Sequence, residues 1–286
     1  MRFAHPPTPM ATAGWPPGGA ADPHSPQGVP PPSGGAVDPA IIADLAAASR
    51  VLAAHGVVDA FGHVSMRHPE APDRWLMARA IAPASVTPDD IIEYDLDSRA
   101  CNANGRGSFL ERYIHGEIFR ARPDVMAVVH SHSPSVIPFS LVNVPMQAMF
   151  HNAAFLAAGV PVFDIARKFG ATDMLVGNTT KGVALVDSMV GRDVVLMRAH
   201  GSVACGASLP LAVFRAVYTE VNARIQQMSI ALASSPFAQN STESGAVSIA
   251  ALDAEEGCLA DSINVAGACL RGWALWREQV RAQTGW

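Results

Sequence analysis

Cysteine, lysine and long apolar runs are all scarce in this chain. The four cysteines, Cys101, Cys205, Cys258 and Cys269, show no C-x-x-C spacing. They point to neither a zinc ribbon nor a disulfide scaffold, and a reduced, cytoplasmic protein is expected. Lysine occurs only at Lys168 and Lys181, against eighteen arginines, so a Schiff-base mechanism has few candidates. No stretch approaches the roughly 18 uncharged apolar residues of a membrane span. The N-terminal MRFAHPPTPM also lacks the apolar centre of a secretory signal. Basic charge is missing too: the formal net charge of −5 gives no support for binding nucleic acid or an anionic membrane. What is abundant is apolar side chain, 49% of 286 residues, enough for a sizeable core.

Residues 1–37 contain ten prolines and almost no aliphatic residues. Such a segment buries too little apolar surface to offset its ordering entropy, and a disordered tail is expected there. Order is expected to begin at DPAIIADLAAASRVLAAHG, a helix with Asp38 as N-cap and Pro39 at its first position. Short strands are expected in VVDAFGHVSMR, WLMARAI and IIEYDLD. SFLERYIHGEIFRARPD reads as a helix and VMAVVH as a strand. Helical patches follow at AAFLAAG and TKGVALVDSMV, then a buried strand at DVVLMRAHG. A long helix begins after Ser208, with Pro210 close behind. SSPFAQNSTESGA is a loop, and CLADSINVAGACLRGWALWREQV is a single final helix. The pattern predicts one α/β domain over residues 38–240, with a helical extension over 241–286.

The apolar run DVMAVVHSHSPSV ends in two histidines one residue apart. Side chains at i and i+2 of a strand share a face, so His130 and His132 project together, and imidazole is a common ligand for zinc-like metals. A second apolar run, VVLMRAHGS, ends in His200. Three such histidines make an open tripod for a metal; the alternative is that each is a polar residue at a turn. Glu111 has two readings as well. It lies three residues after Ser108, the spacing of a capping box, and a carboxylate at a helix start can also reach into a cleft. His55 and His115 read as helix-surface residues. GNTTKG lacks the full phosphate-loop spacing and is expected to be a helix-start loop.

Taken together, FGHVSMR, GSFLERYIHGEIFRARPDVMAVVHSHS and LMRAHGSVACG resemble the class II aldolase/adducin family, over about residues 38–235. The resemblance implies a three-layer α/β/α sandwich around a mixed β-sheet. It implies a divalent metal (manganese, zinc, cobalt or iron) on His130, His132 and His200, and Glu111 as the acid/base. A homotetramer with sites near subunit boundaries is also implied, with His151, in MFHNAAF, placed where the family brings a residue in from a neighbouring subunit.

The chain departs from the sugar-phosphate aldolases of that family. Their phosphate cradle uses a Gly-Asn pair and small hydroxyl residues before the glutamate; here the positions hold Gly62-His63 and Phe109-Leu110. Phenylalanine and leucine donate no hydrogen bonds, and desolvating a phosphate dianion against them is costly. The FGHVSMR version looks like the decarboxylase branch, which acts on hydroxylated pyridine dicarboxylates and dihydroxyphthalates. A pocket with His63, Phe109, Leu110 and Phe150 suits a flat acidic ring. His63 is then expected to orient the substrate or deliver a proton, Ser65 and Phe109 to line the pocket, and Arg67 to hold a carboxylate with its charged fork. The expected activity is decarboxylation of a small aromatic acid. The alternatives are an aldolase acting on a non-phosphorylated hydroxy-carbonyl compound and a non-catalytic, adducin-like interaction domain.

Overall fold

The computed structural model describes residues 29–239 and 247–286. Seven strands form one sheet: β1 (His63–Arg67), β2 (Arg74–Ala78), β3 (Ile91–Asp95), β4 (Ala127–Ser131), β5 (Val162–Phe163), β6 (Val194–Met197) and β7 (Gly201–Gly206). Their order is β3-β2-β1-β4-β7-β6-β5. Every neighbouring pair is antiparallel except β5 with β6, so the sheet is mixed. The helices are α1 (Pro39–Ala54), α2 (Arg112–Ala121), α3 (Ile165–Phe169), α4 (Thr179–Met189), α5 (Leu209–Ala233), α6 (Pro236–Gln239), α7 (Ala254–Ile263) and α8 (Cys269–Thr284).

The period-2 alternation of β4 shows why the sheet is covered on both faces. Ala127 and Val129 enter one core with Leu45 and Leu52 of α1, Val213 of α5 and Trp276 of α8. Val128, between them, enters a second core with Ile114 and Ile118 of α2 and Leu185 of α4. Each of these large side chains contributes about 1.5–3 kcal/mol by its burial. The result is the expected α/β/α sandwich. Asp38 caps α1 by accepting from the Ala40 N–H, and Ser208 caps α5 by accepting from the Leu211 N–H. GNTTKG is a helix start, with Asn178 capping α4.

Three expectations are corrected. Order begins before Asp38: Ser33 Oγ and the Gly34 N–H both donate to the Glu93 carboxylate at 2.5 Å, and Arg74 Nε donates to the Pro32 carbonyl. These polar contacts pin a segment whose composition offers little apolar anchorage. Residues 1–28 of the predicted tail lie outside the described residues, as do residues 240–246 of the predicted loop. AAFLAAG is not α-helical; a 3-10 turn covers His151–Leu156. The predicted final helix is two helices, α7 and α8, separated by a π-type turn at Asn264–Ala268, where Gly267 adopts a φ of 141° that only glycine tolerates readily. The expected C-terminal helical extension is present, and α8 packs onto the domain: Cys269, Trp273, Trp276 and Val280 are buried in the first core. Among the described residues, no helix is long and apolar enough to cross a membrane.

Candidate metal and substrate site

The site lies on the face of the sheet that α2 covers. In the β1–β4 ladder His63 stands opposite His130, so alternation sends His63, Ser65 and Arg67 of β1 to the same side as His130 and His132. His200 arrives differently from the sequence expectation. It sits in the turn between β6 and β7, with Ala199 before it at a φ of 56°. Gly201 matters for its missing side chain: a Cβ there would overlap the Ser131 carbonyl oxygen. Only glycine lets the hairpin close against β4 and bring His200 beside His132.

Hydrogen bonds fix how these rings present themselves. His130 Nδ1 lies 3.2 Å from the Ser202 carbonyl, and His200 Nδ1 lies 3.1 Å from the Met174 carbonyl. A carbonyl only accepts, so both Nδ1 atoms carry the proton, and in the neutral rings Nε2 keeps a lone pair. His132 Nε2 then stands 3.1 Å from His130 Nε2 and 3.0 Å from His200 Nε2. A Glu111 carboxylate oxygen lies 3.4 Å from His130 Nε2 and 3.3 Å from His200 Nε2. Lone pairs and a carboxylate converging on one point repel each other unless a cation sits among them. The donors suit one: imidazole nitrogens and a carboxylate oxygen are what zinc-like divalent metals take, and these four lie within 4.8 Å of one another. Glu111, His130, His132 and His200 therefore form a donor set able to hold a metal.

Glu111 is not the partner of a capping box. It is itself the N-cap residue of α2, while Ser108 Oγ accepts from the Tyr94 hydroxyl. One Glu111 oxygen accepts from the Val176 N–H at 2.9 Å, leaving the other toward the histidines. Burial alone would raise this carboxyl, but His130 and His200, when protonated at Nε2, donate to it and hold it well below the usual carboxylate range. Burial lowers His200, yet the Glu111 contact prevails and raises it. His132 is lowered to about 4, first by burial and then by the neighbouring imidazoles.

A second polar group lies behind the donor set. His63 Nδ1 is 2.6 Å from His115 Nε2, and His115 Nδ1 is 2.5 Å from Ser65 Oγ. His115, on the buried side of α2, is wholly covered, against the sequence expectation of a surface residue, and stacks on Trp75 with ring centroids 5.9 Å apart. Burial and the nearby His130 lower it to about 3. A signal for it was present: Glu111 and His115 are four apart in sequence, hence on one face of a helix. No side-chain pattern could have pointed to the backbone N–H of Val176.

The remaining candidates divide. Phe109 packs on His63 with centroids 4.6 Å apart, and Leu110 is exposed beside it. Ser65 is buried and bonded to His115, so it is not placed to touch a substrate. Arg67 is corrected outright. It lies at the far end of β1, buried, its guanidinium donating to the carbonyls of Pro72, Phe119, Val125 and Arg122. Its charge completes the C-terminal end of α2. His151 is exposed and does not join the cluster within this chain. Cys205 is buried, which pushes its thiol up to about 12 and removes it as a nucleophile.

Residues 43–227 match the class II aldolase and adducin N-terminal domain. The chain belongs to that family. It is 35% identical to decarboxylase tropJ of Talaromyces stipitatus, over 80% of this chain and 90% of that protein. It is 31% identical to the 3,4-dihydroxyphthalate decarboxylase of Rhodococcus jostii, over 84% of this chain and 95% of that protein. Among solved structures, an aldolase II superfamily protein from Pseudomonas syringae superposes with a TM-score of 0.67 at 18% identity, covering 86% of this chain and 94% of its own. Within the family, then, the resemblance runs to the decarboxylase branch.

Proposed function

We propose that this chain is a divalent-metal-dependent lyase that decarboxylates a hydroxylated aromatic dicarboxylate of the dihydroxyphthalate or hydroxypyridine dicarboxylate type. The observation that carries the proposal is the convergence of His130, His132, His200 and Glu111 on one point beside an apolar wall. Phe109 and Leu110 stand where a sugar phosphate would need hydrogen-bond donors, and Phe109 and His63 offer ring faces to a flat substrate. The 3,4-dihydroxyphthalate decarboxylase relative supports the same substrate class.

His130, His132 and His200 would hold a divalent metal (manganese, zinc, cobalt or iron), which when bound supplies Lewis-acid stabilisation of the charge that builds up on the substrate. Glu111 is ionised at rest. It accepts the proton of a ring hydroxyl and returns it to the ring carbon that CO2 leaves, and the product oxygen recovers a proton from solvent. Phe109, packed on His63, shields the ring from water. His63 meets the substrate through Nε2, since its Nδ1 is engaged by His115. His151 fits a contribution to the site of a neighbouring copy in a homotetramer, and a cytoplasmic location suits the reaction.

The test is CO2 release from a panel of dihydroxyphthalates and hydroxypyridine dicarboxylates, with protein reconstituted with manganese. Release from at least one member, abolished by a chelator, is the expected result. Release of an aldehyde or keto acid in place of CO2 would move the assignment to an aldolase. Full turnover by metal-free protein would end the metal-dependent mechanism.

A further inference from the structure

The buried chain His63–His115–Ser65 has a direction, and the number of its partners decides it. Among the described residues, His115 Nδ1 is the hydrogen-bond partner of Ser65 Oγ. Were His115 to carry its proton on Nδ1, Ser65 would have to accept, and its own hydroxyl proton would be buried with nowhere to go. An unmade hydrogen bond of that kind costs about 1–3 kcal/mol. In the other direction every group is matched. Ser65 Oγ–H donates to His115 Nδ1, and His115 Nε2–H donates to His63 Nδ1. His63, a neutral imidazole with an acceptor at Nδ1, then carries its proton on Nε2. The surroundings hold the arrangement still: Trp75 stacks on His115, Phe109 packs on His63, and the three groups are 0–7% exposed.

We infer that Ser65 and His115 are positioning residues that fix His63 as the Nε2–H tautomer, so that His63 holds an anionic oxygen of the substrate by donating a hydrogen bond and is not the source of the proton. A neutral ring that surrendered that proton would become an imidazolate. Its replacement could be drawn only along the chain from a serine hydroxyl, leaving a buried alkoxide. The proton delivered to carbon therefore falls to Glu111. The substrate part of this inference rests on the decarboxylase proposal; the direction of the chain rests on its hydrogen bonds alone.

The experiment reads the two parts separately. Long-range 1H–15N correlation of the His63 ring, in zinc-loaded protein without substrate, is expected to show a protonated Nε2 and an unprotonated Nδ1. Ser65→Thr keeps the hydroxyl and should keep the single tautomer. Ser65→Ala removes it, and both tautomers of His63 should appear, with KM for the aromatic acid raised about tenfold and kcat within about twofold of wild type. A protonated Nδ1 in the wild-type protein, or a tautomer and KM unchanged in Ser65→Ala, would overturn the inference. If the tautomers behave as expected but no member of the panel releases CO2, the chain stands and the substrate assignment falls.

Discussion

The two ends of α2 meet the same sheet face and treat charge in opposite ways. At its N-terminal end Glu111 has one backbone donor, Val176 N–H, and otherwise faces imidazole nitrogens. At its C-terminal end Arg67 is surrounded by carbonyl oxygens that accept from its Nε and both terminal nitrogens. Both groups are buried and charged. A buried ion whose partners complete it is part of the framework. A cluster of acceptors that have only one another calls for a further cation. The chemistry follows from what each group lacks, not from its charge or its burial.

The largest effect should come from breaking the acceptor end. His130→Ala or His132→Ala removes one of the converging nitrogens, and manganese affinity should fall about a hundredfold or more, as expected for losing one of a few ligands. Isothermal titration with the metal alone checks this, and CO2 release should fall with it. Retention of wild-type affinity would dissolve the contrast between the two ends. Arg67→Met comes next. It leaves backbone carbonyls buried without donors and should lower unfolding stability in urea by about 3 kcal/mol or more, while kcat per folded molecule stays unchanged. A stable Arg67→Met protein with lost turnover would return Arg67 to the substrate. Phe109→Ser removes the ring packed on His63 and should raise KM about tenfold, close to the ~1 kcal/mol of an aromatic pair with its burial, with metal affinity unaffected. The smallest effect is expected away from both ends: Ser33→Ala removes one hydrogen bond to Glu93 and should cost about 1 kcal/mol of stability, with no change in KM or kcat.

The same contrast explains what could be read in advance. The histidine pair is legible because strand alternation is local: His130 and His132 must share a face wherever the strand goes. The layered fold is legible because apolar runs alternate with amphipathic helices. Arg67 misleads because the carbonyls that hold it come from Pro72, Phe119, Arg122 and Val125, and their meeting depends on where the end of α2 rests. His115 is hidden for the same reason, since a helix pattern shows a stripe but not the polar groups waiting beneath it. Glu111 offers a capping spacing that the chain does not use, because α2 begins one residue after it and Ser108 turns to Tyr94.

The pairing of His130 with Val203 also bears on assembly. A slip of one residue between β4 and β7 would preserve the ladder of backbone hydrogen bonds yet turn one strand's side chains to the opposite face. His130 and His132 would then turn away from His200, and a wrongly threaded sheet would still look like a sheet. A divalent ion that binds only the aligned form would stabilise that form alone, by mass action. Metal uptake during refolding would then act as a proofreading step, retaining the aligned molecules and leaving the slipped ones to unfold and try again.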